Sequence, residues 1–267
     1  MKYDYKPLKP NDYRSVISLL SNGFSRSNFF WEKSINELLK YSDYINSNRI
    51  GYGLYFEKKL VGIILIISDV SNNTCSLSSL YVQKAHRSQT LKFLKLAISS
   101  IKDVDAINDF SATENAKKIF RIFGFKIQKE YAHLRIPIPT LNLISIKKLS
   151  LKKSISILNE KKIFFSNNLR VLEITNKNQK KIVVLKDFSI LKNNYLRVLS
   201  SIIYSDDINK KELKSLVFYN FVRGSLQFDF FGYDVSPCIK LKKFSILSKG
   251  NNKIKFFGNS EFSIFDF

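Results

Sequence analysis

Apolar residues along the chain switch between two periods, and the order of the switches predicts the fold. Tyr3 to Leu8 alternates as a strand and stops at Pro10, and Asn11 or Asp12 is placed to cap a helix with Tyr13, Val16, Ile17 and Leu20 on its apolar face. Gly23 predicts a break, with Phe29, Phe30 and Trp31 in the connection and a second helix around Glu32 to Tyr41. Tyr52 to Phe56, a turn at Glu57 to Lys59, and Leu60 to Ser68 read as a hairpin. Val61 to Ile67 leaves little polar alternation, which fits a central strand buried on both faces. After a turn at Asp69 to Asn73, a third strand ends in Leu80, Tyr81 and Val82. A polar loop, Gln83 to Gln89, leads into a helix with Leu91, Leu94, Ala97, Ile98 and Ile101 at helical spacing. Residues 106–113 then read as a strand and 114–125 as a short helix closed by Gly124, with another strand from Phe125.

Pro137 and Pro139 mark a boundary, so two domains are expected, at 1–137 and 138–267. The stretch LNLISIKKLSLKKSISI beyond it reads equally as a basic linker, a strand or a docking helix. Leu169 to Thr175 and Lys180 to Leu185 form a second hairpin, followed by a strand at Tyr195 to Tyr204. A helix from Asn209 to Phe221, capped by Asp206 or Asp207, and a strand from Leu226 complete the second half. The fold class expected is α/β (α+β): a mostly antiparallel central sheet flanked by helices, with a second, smaller half. That half repeats the order of the first, either as a degenerate copy or as an unrelated extension.

Composition adds three constraints. Hydrophobic residues at 45%, with 23 Phe, require a packed core. The net charge of +22 comes from 44 basic against 22 acidic residues, spread as lysine pairs such as Lys58-Lys59 and Lys117-Lys118, mostly at turns and element ends. A solvated lysine surface accounts for it; nucleic-acid binding would rest on charge alone and is not expected. The two cysteines, Cys75 and Cys238, offer neither zinc-site spacing nor a disulfide framework, which fits a reducing cytoplasm. The longest aliphatic run, Leu60 to Ile67, is far short of the ~20 residues a membrane span needs, so a soluble cytoplasmic protein is expected.

The stretch with most chemical content is residues 75–101, a strand, loop and helix. Ser88 to Thr90 could start the helix, and free amides there beside Arg87 would suit a phosphate or pyrophosphate. Tyr81-Val82, four residues, Arg87 and a short loop into a Leu-rich helix resemble the acyl-CoA binding element of the GNAT superfamily of acyl-CoA N-acyltransferases. In that family the loop reads Arg or Gln, two residues, Gly, one residue, Gly or Ala. Here Arg87, Ser88, Gln89, Thr90, Leu91 and Lys92 stand there, with Thr90 and Lys92 in place of the small residues. A second segment, ENAKKIFRIFGF at 114–125, is similar to the family's later motif, with Asn115 at the helix start and a Gly124-Phe125 ending.

The resemblance implies an N-acyltransferase that takes acetyl-CoA or another acyl-CoA as co-substrate and a small amine, such as an amino sugar, as acceptor. Coenzyme A would then lie along Leu80, Tyr81 and Val82, over Arg87 to Lys92, and beside Asn115, with Ser88, Thr90 and Lys92 as side-chain donors. The family's strand carboxylate and helix Tyr are absent, the latter's place being taken by Phe120. Tyr81, His86 and Glu114 are the candidates left for proton transfer. The alternative is an inactive binding or assembly module with the same fold.

Overall fold

In the computed structural model, residues 2–250 are described apart from 48, 71–72, 110–111, 136, 138, 140–143, 166–167, 193–194 and 230–237. Among the described residues the chain forms two compact units, one built from residues up to Gln128 together with residues 245–250, the other from Lys129–Phe244. The division falls inside a strand, ahead of the boundary expected at Pro137 and Pro139, and the first unit takes back the last part of a later strand, residues 245–250.

Unit 1 runs β1 (Tyr3–Pro7), α1 (Tyr13–Phe24), α2 (Asn28–Tyr44), β2 (Gly51–Phe56), β3 (Lys59–Asp69) and β4 (Thr74–Val82). It continues with α3 (Thr90–Ser99), β5 (Ala106–Asp109), α4 (Glu114–Ile122) and the start of β6 (Lys126–Arg135), the order predicted above. β1 to β4 pair antiparallel in sequence, β5 joins β4 in parallel, and residues 247–250 pair antiparallel with β5. Leu54, Ile64, Leu77 and Val82 form one buried cluster with Phe93, Leu94 and Ala97 of α3 and Phe120 of α4. Ile63, Leu65 and Ile67, also fully buried, alternate with Ile64 and so point to the other face, where α1 lies against β3 and β4. A central strand covered on both sides explains why residues 61–67 lack polar alternation.

Three local expectations change. Gly23 does not break a helix but lies within α1, for a reason given below. Phe29, Phe30 and Trp31 belong to the first turn of α2, whose cap is Ser27 accepting from the Phe30 amide at 3.2 Å; Trp31 is buried while Phe29 stays exposed. Neither Asn11 nor Asp12 caps α1 with its side chain; a 3-10 turn at Pro10–Asp12 leads into it instead.

Unit 2 contains the rest of β6, then β7 (Ser145–Lys148), α5 (Leu151–Glu160), β8 (Leu169–Asn176), β9 (Gln179–Lys192) and β10 (Tyr195–Ser205). α6 (Lys210–Val222), β11 (Ser225–Asp229) and most of β12 (Cys238–Gly250) follow. The stretch read as linker, strand or helix is therefore both β7 and α5. β7, β8, β9 and β10 pair antiparallel in sequence, and β11 joins β10 in parallel after α6. This repeats β2, β3, β4, α3 and β5 of unit 1, so the second half has the same topology at its centre.

α6 is capped by Asn209 in a capping box with Glu212, not by Asp206 or Asp207. The buried Glu212 carboxylate accepts from the Asn209 amide at 2.8 Å, Asn176 Nδ2 at 3.0 Å and Lys181 Nζ at 2.9 Å. Burial alone would raise its pKa; the Asn209 amide, Asn176 and Lys181 outweigh it and hold the carboxyl below its usual range. A depressed folded pKa gives stability that is fully present above the unfolded value, about 4.3, and is lost as pH falls through the folded one. Thermal melts followed by circular dichroism between pH 6 and pH 3 should therefore lose midpoint steeply below about pH 4. Glu212→Gln should start lower at neutral pH and lose less over the same window.

Candidate functional site

The site is built on β4. Its first half pairs with β3 on one side and in parallel with β5 on the other, from Thr74↔Ala106 to Leu77↔Asp109. Its second half keeps β3 and runs on past the last β5 pair among the described residues. Between the pairs Ile63↔Tyr81 and Leu65↔Ser78, two β4 residues, Ser79 and Leu80, stand opposite Ile64 alone. Ser79 has φ 54°, in the left-handed region. The arrangement is a β-bulge, which disrupts the ladder locally and re-aims the backbone of the strand that carries it. On β5, opposite Ser76, Asn108 is buried with its side-chain carbonyl oxygen unpaired.

Past the bulge, the ring of the half-buried Tyr81 lies against Gly23 of α1, and its centroid is 6.1 Å from that of Phe24. A Cβ at position 23 would stand 2.6 Å from Tyr81 Cδ2, so glycine is what admits the ring. Leu80 packs at the edge of the core cluster and Val82 is inside it. Cys75 is buried, which pushes its thiol up to about 12, so it is no nucleophile at neutral pH.

The corner between β4 and α3 is not an open loop. Lys84–Gln89 form a 3-10 turn continuous with α3, and no side chain caps α3 at Ser88, Gln89 or Thr90. The His86 amide donates to Gln83 O at 2.9 Å and the Thr90 amide to Arg87 O. The amides expected to be free at Arg87 to Thr90 are thus spent inside the turn, because 3-10 bonding closes each residue on the one three before it. What the corner offers outward is side chains. Arg87 and Ser88 are exposed, the former with Nε 3.4 Å from Val82 O, while Leu91 is also exposed and Thr90 half-buried. Lys92 holds its ammonium 5.2 Å from the centre of the Tyr5 ring. Gln89 and His86 face β1: Tyr5 Oη donates to Gln89 Oε1 at 2.8 Å, and Tyr3 Oη lies 3.0 Å from His86 Nδ1.

α4 starts at a Thr113 cap, with Glu114 and Asn115 exposed on its first turn. Glu114 pairs with Lys117 at 2.6 Å, and that hydrogen bond and charge hold its carboxyl below the usual range. At the other end, Gly124 at φ 82° closes the helix. Phe125 N–H bonds Phe120 O and Gly124 N–H bonds Arg121 O, a Schellman motif, and the Phe120 and Phe125 rings meet at 5.0 Å between centroids. The structure therefore places Tyr81 against α1, His86 against β1 and Glu114 on the surface of α4, in three separate neighbourhoods. The bulge, which sequence reading missed, was signalled only by Ser78-Ser79 interrupting the apolar pattern.

Unit 2 has a similar bend. β10 pairs with β11 through Ser200↔Gln227 and then carries its own irregularity between Ile202 and Tyr204. There, however, Asn209 Oδ1 accepts from the amides of Lys211 and Glu212, and Glu212 answers the Asn209 amide. The start of α6 is filled by the protein's own acceptors, so it is closed to an outside anion. Among the described residues no cluster of side chains could hold a metal ion, and no helix is long and apolar enough to cross a membrane.

No protein-family model matches the sequence, and neither does any curated protein. Solved structures do. A GCN5-related N-acetyltransferase from Anabaena variabilis matches at a TM-score of 0.61 and 9% identity, over 92% of this chain and 72% of that one. The fold is that of the GCN5-related N-acetyltransferases. A GCN5-related N-acetyltransferase from Kribbella flavida matches at 0.63 and 8% identity, over 92% of this chain and 70% of that one. The glucosamine N-acetyltransferase region of a fungal multi-domain β-N-acetylglucosaminidase matches at 0.57 and 10% identity, over 93% of this chain and 38% of that one. Matches of that coverage take in residues of both units.

Proposed function

We propose that the protein is an acyl-CoA-dependent N-acyltransferase acting on a small primary amine, an amino sugar being the acceptor class favoured by the glucosamine N-acetyltransferase region among the matched structures. The observation that carries the reading is the bulged second half of β4, which extends past its last described pair with β5. Strand backbone running on past its neighbour's last described pair offers a binding edge for an extended ligand that carries amides, as the pantetheine arm of coenzyme A does. An amide re-aimed by the bulge at Ser79 and Leu80 is placed to donate to a carbonyl oxygen and to stabilise the charge that develops there as an amine attacks. Tyr81, next along the strand, is the nearest phenol in sequence and a stronger acid than the serine hydroxyls at the bulge, so it is the side chain suited to give a proton to the departing thiolate.

Diphosphate binding falls to the side chains of Arg87 and Ser88, with Lys92 near, since the turn consumes the amides around them. Bound acyl-CoA supplies the activated thioester; the chain supplies orientation, the carbonyl donor and the proton. The net charge of +22 assists capture of such a polyanion.

The test is thiol release from acetyl-CoA and longer acyl-CoAs in the presence of a panel of amines and amino sugars. Amine-dependent release is expected. Arg87→Ala should raise the KM for acyl-CoA about tenfold with little change in kcat, the loss of one charge-assisted contact. Tyr81→Phe should lower kcat. Neither thiol release nor a rise in melting temperature with any acyl-CoA would leave only a binding or assembly module of this fold.

A further inference from the structure

A cavity of about 510 Å³ opens on the α1 side of unit 1, between that helix and the β2–β3 turn. Its volume is in the range of small-molecule sites, but its lining is unlike the apolar majority of them. Arg14 enters from α1, and Lys58 and Lys59 from the turn. Ser15 and Ser18, one helical turn apart, present hydroxyls from the same face of α1. At the base are Asp12 and Tyr55.

Tyr55 is the informative residue. It is 4% exposed, and its hydroxyl makes no hydrogen bond of ordinary geometry. Burial first, then hydrogen bonding to the Asp12 carboxylate and its charge, raise the phenol above its ordinary pKa. Its ring is fixed by Lys6, whose ammonium lies 4.2 Å from the ring centre, and by Gly53, where a Cβ would stand 2.6 Å from Tyr55 Cε2. A buried donor whose one neighbouring acceptor, Asp12, is poorly aligned has capacity for a better partner from outside. Lys58 sits in the left-handed region at φ 69°, as does Glu57 at φ 48°, so a two-residue turn of non-glycine residues carries the cation at the rim.

We infer that this cavity is a binding site for a phosphorylated polyol such as a hexose phosphate. Arg14, Lys58 and Lys59 hold the dianion, and the Tyr55 hydroxyl, Asp12, Ser15 and Ser18 engage the sugar hydroxyls. The inference does not depend on acyl transfer: every residue it uses lies on α1, its leading turn or the β2–β3 hairpin.

Isothermal titration of the full chain with glucose 6-phosphate, inorganic phosphate and glucose tests it, without any acyl-CoA. Glucose 6-phosphate should bind one to one and at least tenfold more tightly than phosphate, with glucose weaker than either. Lys58→Glu with Lys59→Glu should weaken it by roughly a hundredfold, each losing a charge-assisted contact. Tyr55→Phe should weaken it about tenfold while leaving the melting temperature nearly unchanged, because the hydroxyl's contact with Asp12 is poorly aligned. Arg87→Ala should leave the affinity as it is. Equal affinity for phosphate and its ester would mean a bare cationic rim and overturn the inference. So would no binding at all, or a Tyr55→Phe variant that melts lower and binds as before.

Discussion

Phe120→Ala should destabilise unit 1 by about 3–5 kcal/mol in urea unfolding, the usual cost of truncating a buried aromatic. Phe120 is fully buried in the cluster with Phe93, Leu94 and Ala97 of α3, and its ring meets that of Phe125 across the end of α4. Its removal opens a cavity and deletes the apolar contact that accompanies a Schellman ending, so the helix stop at Gly124 weakens with the core. The companion variant carries more functional meaning. Phe120→Tyr puts a hydroxyl where GNAT enzymes carry a proton donor, yet position 120 is 0% exposed. The added phenol would be buried among apolar side chains, at a cost of about 1–3 kcal/mol if it finds no acceptor. Thiol release should not rise. A gain in kcat from Phe120→Tyr would show that this position reaches the reacting atoms and that α4 lies closer to them than its packing implies.

Much of the architecture was readable because long-period patterning survives local irregularity. The run at 61–67 could only be a strand covered on both faces, and Gly124 with Phe125 could only end a helix into the core. Both hairpin turns, Glu57-Lys58 and Lys177-Asn178, were placed by charge and polarity although each adopts positive φ without glycine. The site was less legible because its determinants are contacts between residues distant in sequence. The loop at 83–89 has the composition of an anion cradle, but tertiary bonds from Tyr3 and Tyr5 to His86 and Gln89 accompany its winding into a 3-10 turn. The bulge at Ser79 is a matter of register against β3, and register is a property of two strands rather than one. Gly23 read as a helix breaker because the ring that needs its missing Cβ lies 58 residues further on, at Tyr81.

That last pair yields the sharpest functional test. Gly23 is inside α1, where alanine normally adds about 0.5–1 kcal/mol of stability by restricting the unfolded chain. Here a Cβ would come within 2.6 to 2.9 Å of three atoms of the Tyr81 ring, including Cγ, close to the backbone and unable to swing away alone. Gly23→Ala should therefore lose about 1–3 kcal/mol, as overpacked positions do. It should also turn Tyr81 off α1, cutting kcat for thiol release by at least tenfold with a smaller change in the KM for acyl-CoA. Tyr81→Ala removes the clash, so the double variant should recover most of the stability lost by Gly23→Ala, a coupling that a double-mutant cycle of urea midpoints measures directly. A Gly23→Ala protein that is more stable and equally active would mean that the tyrosine is not seated on α1, and with it would go the assignment of Tyr81 as proton donor.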